Sequence, residues 1–92
     1  MTLPDYITEN PDGSLTVQLG RKLAIGGASV DTVTMREVTL GDRIVATKSA
    51  AGLEVDAVLA ANVIDGATPA EMHALPSRVF ERLQDGLRHF LG

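Results

Sequence analysis

From Ser14 to Ile25 the large apolar residues sit at odd positions: Leu15, Val17, Leu19, Leu23 and Ile25. A period of two places them on one side of an extended chain and is the mark of a half-buried strand. The row is interrupted by Arg21, beside which Gly20 marks a bulge or bend. It stops at Gly26-Gly27-Ala28-Ser29, and a glycine pair supplies the positive φ angles of a tight hairpin turn. Val30 to Val38, rich in Val and Thr, reads as the returning strand, with its register open.

The pattern changes at Thr39. Thr39-Leu40-Gly41-Asp42 has the spacing of a capping box, and Leu40, Ile44, Val45 and Lys48 follow at helical intervals, which predicts a short helix over about 40–49. A second helix is expected over Leu53–Ile64, with Val55, Val58, Leu59, Asn62 and Val63 on one face and Asp65-Gly66 closing it. Thr68-Pro69-Ala70-Glu71 combines a cap, a proline suited to the first helical position and a reciprocating glutamate, and Pro76 keeps that helix short. Ser77 is expected to cap a last helix over about Arg78–Leu91, with the apolar stripe Val79, Phe80, Leu83, Leu87, Phe90 and Leu91. On its other side, Arg78/Glu81, Arg82/Asp85 and Asp85/Arg88 are spaced as opposite-charge pairs.

Strands followed by helices indicate an α+β fold: an N-terminal β-hairpin and then three to four α-helices. The expected organisation is one domain over residues 1–92, with 1–13 a lead-in, 14–38 the hairpin and 39–92 the helical part. A lone hairpin is marginal in water, so it must pack on the helices or pair with another chain.

The residues offer little to chemistry. With no cysteine, thiolate nucleophiles, disulfides and sulfur-ligated zinc are excluded. No serine stands in a nucleophile elbow, His73 and His89 lie 16 residues apart without a metal-ligand pattern, and the glycine pair lacks the remainder of any phosphate-binding motif. Glu54 and Asp56 diverge on their helix, while Glu81 and Asp85 share the solvated face of the last helix. No catalytic residue, cofactor or metal is therefore expected, and the chain is read as not an enzyme. Eight Lys and Arg against twelve Asp and Glu give a net charge of −4, and residues 1–46 and 47–92 each carry four basic and six acidic groups. Without a basic block, nucleic acid and anionic membrane are not expected partners. Residues 70–75, which a helix-turn-helix would use for recognition, hold Glu71 and neither Arg nor Lys. Met1-Thr2-Leu3-Pro4-Asp5 lacks the pattern of a signal peptide, and no apolar run approaches the ~20 residues of a membrane span.

What remains is the last helical stripe, which concentrates both phenylalanines in a chain with three aromatics. Phe80, Leu83, Leu87, Phe90 and Leu91 are the candidate partner-binding residues, Phe90 and Leu91 above all because a terminal turn is the least enclosed.

Val33-Thr34-Met35-Arg36-Glu37-Val38-Thr39-Leu40-Gly41-Asp42 resembles a segment of the small tail assembly proteins of Mu-like phages and prophages, in which a strand ends in Arg-Glu and a Thr-x-Gly-Asp turn opens a helix. Val38 stands where that family often has proline. Leu75-Pro76-Ser77-Arg78-Val79-Phe80 and Leu83-Gln84 resemble its closing helix, and the likeness covers roughly 13–91. The resemblance implies a phage tail assembly chaperone that coats the tape measure protein, and touches the tail tube protein, until the tube polymerises. It would act in the host cytoplasm, as a homo-oligomer, and be missing from the mature virion. The alternative is a structural tail component or a small oligomeric regulatory module.

Overall fold

The computed structural model describes residues 3–92; Met1 and Thr2, part of the expected lead-in and of the expected absence of a signal peptide, lie outside the described residues. The fold is α+β: a three-stranded antiparallel sheet followed by four helices. The strands β1 (Ile7–Glu9), β2 (Leu15–Ile25) and β3 (Ala28–Met35) form a meander in the order β1-β2-β3. The helices are α1 (Leu40–Ser49), α2 (Leu53–Val63), α3 (Pro69–His73) and α4 (Ser77–Leu91).

The hairpin forms where the period of two placed it. Ile25 pairs with Ala28, so Gly26 and Gly27 alone make the turn, with φ of 67° and 78°. Positive φ at both central residues is the type I′ requirement, which suits the twist of the flanking strands. Leu15 pairs with Met35 and Val17 with Val33, all four buried, while Thr16 and Gln18 face Thr34 and Thr32 on the other side. Between Gln18 and Leu23 the register shifts, and Gly20 sits in that bulge.

Residues 3–13 are more than the expected lead-in. Ile7–Glu9 forms an edge strand, with Ile7 opposite Val17 and Glu9 opposite Leu15. Asn10 and Asp12, signs of a turn, close a hairpin of their own. The Asn10 amide donates to the Ser14 carbonyl at 2.8 Å, and Asp12 Oδ1 accepts from the Ser14 amide at 2.9 Å and its hydroxyl at 2.6 Å. That satisfies Ser14, a buried polar residue.

One face of the sheet carries α4. The largest sealed side chains are Leu15, Val17, Leu19 and Met35 from the sheet and Leu83 and Leu87 from α4, so the centre of the core lies between these two layers. Gly86 lets the layers meet: a Cβ there would lie 2.9 Å from Met35 Sδ. The buried side of α2 is Ala57, Leu59, Ala60, Ala61 and Val63, while Asn62, expected on that face, is exposed. Alanines allow close helix approach, and apolarity nearly all round α2 leaves its periodicity uninformative. At the start of α4, Pro76 is the N-cap and no side chain caps the helix. The Pro76 carbonyl accepts from the Val79 and Phe80 amides at 2.9 and 3.0 Å, which makes Ser77 the first helical residue and corrects its expected role as cap.

Both capping boxes form, at Thr39/Asp42 and at Thr68/Glu71. Each also ties its helix to the sheet. Glu71 accepts from the Thr68 amide at 3.0 Å and from the Gly26 and Gly27 amides at 3.1 and 3.4 Å, which holds the hairpin tip against α3. Asp42 accepts from the Thr39 amide at 2.9 Å and from both terminal nitrogens of Arg36 at 2.7 and 3.0 Å. Arg36 also donates to the Glu37 and Asn62 carbonyls at 3.0 and 3.2 Å, and its own amide donates to the Val63 carbonyl at 3.0 Å. The Arg-Glu to Gly-Asp segment is thus a clamp joining the end of β3, the start of α1 and the end of α2.

The clamp predicts a pH dependence. Arg36, and then the Thr39 amide, hold the Asp42 carboxyl well below the usual carboxylate range. A depressed folded pKa stabilises fully above the unfolded value near pH 4, and that contribution is lost as pH falls toward the folded one. Asp42→Ala should cost about 2 kcal/mol at pH 6, from a two-pronged ion pair and a cap, reduced because Arg36 is half-exposed. Urea midpoints should show the gap between native and variant narrowing from pH 6 to pH 3. A gap that widens on acidification would contradict the clamp.

Candidate partner-binding surface

Among the described residues five large apolar side chains are exposed, and one of them, Leu91, lies on the last helix. Leu83 and Leu87 are sealed against the sheet and cannot meet a partner while the fold is intact, which corrects the expectation for these two. The stripe of α4 is wide enough to serve the core with its centre and the surface with its margin. Phe80 and Phe90 are half-buried at that margin, and Leu91 is 41 % exposed.

The main uncovered group lies on α1 and the first residue of α2. Leu40 and Leu53 are each 69 % exposed, Val45 55 % and Ile44 45 %. Ala46 is the one buried residue of α1. A ten-residue helix alone in water is marginal, so α1 owes its persistence to the Thr39–Asp42 box, the Arg36 clamp and its contact with α2. Those supports hold the helix from its end and one side. They leave Leu40 and Ile44, one turn apart, on a shared line facing solvent.

Leu53 leads into a hollow of about 320 Å³ among α2, α3 and α4, lined by Leu53, Ala57, Met72, Leu75 and Phe80. On its rim His73 Nε2 lies 2.7 Å from Glu54 Oε1. The lining is mostly apolar, with Glu54, His73 and Ser77 its polar members, and the hollow is large enough to admit an aliphatic or aromatic side chain. Phe80, expected to face a partner, and Leu53, not singled out from sequence, thus share one recess.

On the opposite flank of α4 the expected charge pairing is only partly present. Arg88 pairs with Asp85, which also accepts from the Tyr6 hydroxyl. Arg82 turns away from Asp85, lies 4.6 Å over the Tyr6 ring and donates to the Gln18 carbonyl at 2.8 Å. Tyr6 belongs to the segment read as a lead-in, so its claim on these groups was invisible to helical spacing. The hydrogen bond to Asp85 raises the Tyr6 pKa.

Among the described residues no group of three or more His, Asp or Glu is placed to hold a metal, and no helix is long and apolar enough to cross a membrane. The family model described as "Phage tail assembly chaperone proteins, E, or 41 or 14" matches residues 16–92, from the second residue of β2 through α4. The chain belongs to this phage tail assembly chaperone family. Membership gives the chaperone an assembly role and partners among phage tail proteins, in a family that is generally non-enzymatic. No curated protein and no solved structure matches the chain. The matched span contains the Arg36–Asp42 clamp, α1 with its uncovered side chains and the Leu53–Phe80 hollow.

Proposed function

We propose that this chaperone binds the tape measure protein during tail assembly, without enzymatic chemistry, by covering apolar helical segments with Leu40, Ile44, Val45 and Leu53. The exposure of these four side chains carries the proposal. A long helical client presents apolar residues one turn apart, and a row such as Leu40 and Ile44 can lie along them while one client side chain enters the hollow beside Phe80. Phe80 lines the hollow that Leu53 shares, and Phe90 and Leu91, at the other end of α4, are a second contact for the client. In the absence of client the same row joins copies of the chaperone, which makes it an oligomer in the host cytoplasm. Release from the client as the tail tube closes would leave it out of the mature virion.

Co-expression with the tape measure protein of the same phage tests this reading. The client should move from the pellet to the soluble fraction and co-purify, and purified virions should contain the client without the chaperone. A client that stays insoluble in the presence of excess chaperone would refute the proposal. Stoichiometric recovery of the chain from virions would instead favour a structural tail component.

A further inference from the structure

The fold gathers positive charge that the sequence keeps apart. Arg21 lies on the bulge of β2, and Arg78 and Arg82 lie on the first two turns of α4. Together they line a groove of about 510 Å³, floored by Leu19, Gly20 and Pro76, with no carboxylate in its wall. Three of the chain's eight basic residues thus converge on one groove of a protein whose net charge is −4.

These guanidinium groups are differently committed. Arg82 is pinned by the Gln18 carbonyl, the Tyr6 ring and the backbone at Gly20, where a Cβ would lie 3.4 Å from Nη1. Among the described residues, Arg21 and Arg78 form no ion pair or side-chain hydrogen bond, and Asp85, the carboxylate expected to neutralise Arg82, is held by Tyr6 and Arg88. One fixed and two free forks around an open groove suit carboxylates, which guanidinium binds by paired, charge-assisted hydrogen bonds. The opening of α4 adds to the same sign, since its first turn holds neither an acidic residue nor a side-chain cap.

The geometry points to this groove as a docking site for an acidic segment of a partner polypeptide, with Arg21, Arg78 and Arg82 as its carboxylate-binding residues. A nucleic-acid strand is the less suitable occupant. It would bring a long polyanion to a molecule of net negative charge, whereas the groove spans only a few side chains. A protein partner also agrees with the family's tail-protein partners. The inference rests on the family membership and not on the tape measure reading, because the groove shares no residue with the α1 row and only Ser77 with the hollow beside Phe80.

Titrating hexaglutamate into the isotope-labelled chaperone at low salt should shift the amide resonances around Arg21, Ser77 and Arg78, and the affinity should fall about tenfold or more by roughly 0.5 M salt. Arg78→Glu and Arg21→Glu should each weaken binding roughly tenfold, while Lys48→Glu, the same charge change on α1, should leave it within about twofold. Both arginines are exposed, so the fold should tolerate the change, and the unshifted amides of β1 and α2 report that it has. Shifts spread evenly over the chain, an equal loss from Lys48→Glu, or tighter binding of an oligonucleotide of the same charge would overturn the inference. No tape measure protein enters the experiment, so a negative result leaves the proposed function standing.

Discussion

Replacing Gly86 by leucine should lower the stability of the chaperone by about 3 kcal/mol, or roughly 12–24 °C in Tm for a chain of this size. Taken alone, helix propensity predicts the opposite sign, since glycine inside a helix costs about 1 kcal/mol relative to leucine or alanine. Packing decides the outcome. The first added carbon would lie 2.9 Å from Met35 Sδ and 3.6 Å from Leu15 Cδ1, and both residues are sealed. Three further carbons have no space unless α4 lifts off the sheet, and that would expose Leu83 and Leu87. Gly86→Ala, in which propensity and crowding nearly cancel, should stay within about 1 kcal/mol of native. The diagnostic measurement is a double-mutant cycle. Met35→Ala alone should cost about 2–5 kcal/mol by leaving a cavity, but in its presence Gly86→Leu should become at least 1 kcal/mol less costly, because leucine enters the vacated space. Additive losses would show that Gly86 is not the contact that sets the spacing of α4 and sheet.

Gly86 also marks where sequence patterns stop being informative. The hairpin turn, both capping boxes and the α4 stripe were legible because each is a local rule written in adjacent residues. Strand β1 was not: three residues are too few to display a period, and its turn signals looked like the end of a lead-in. The close approach at Gly86 is a relation between residues 51 positions apart, Met35 and Gly86, and nothing local announces it. The Arg36-Glu37…Gly41-Asp42 segment was legible as a resemblance without its physical reason, which is the joining of β3, α1 and α2 by one guanidinium.

The candidate surface was harder to see for a related reason. Periodicity says which residues share a face but not what lies opposite that face. The stripe of α4 has the stronger amphipathic pattern, and its centre is consumed by the sheet. Leu40, Ile44 and Val45 read equally well as helix-forming core residues. Their exposure follows only from the way α1 is held, by its N-terminal clamp and by Ala46, with no layer over its outer side. The arginine groove is invisible to charge counting because Arg21 stands more than fifty positions from Arg78.

The second large effect concerns that uncovered row. Ile44→Asp combined with Leu53→Asp should reduce recovery of the tape measure protein by a hundredfold or more while leaving the fold intact. Both side chains are about half-exposed or more, so each stands to gain roughly 1 kcal/mol when a client covers it, and the variant forfeits both gains. Each aspartate then adds the cost of drying a charge without a partner, which brings the total above the ~2.8 kcal/mol that a hundredfold loss requires. The same changes touch little in the free chaperone. Leu53 is the first residue of α2, where a carboxylate favours the helix dipole, and Ile44 contributes few contacts to the core. Thermal unfolding should therefore shift by no more than a few degrees. Phe90→Asp with Leu91→Asp separates the two ends of the surface: a client that meets α1 first should lose less from these changes than from the α1 pair. Undiminished recovery with Ile44→Asp and Leu53→Asp, together with loss at Phe90 and Leu91, would move the client contact to the end of α4 and refute the assignment of the α1 row.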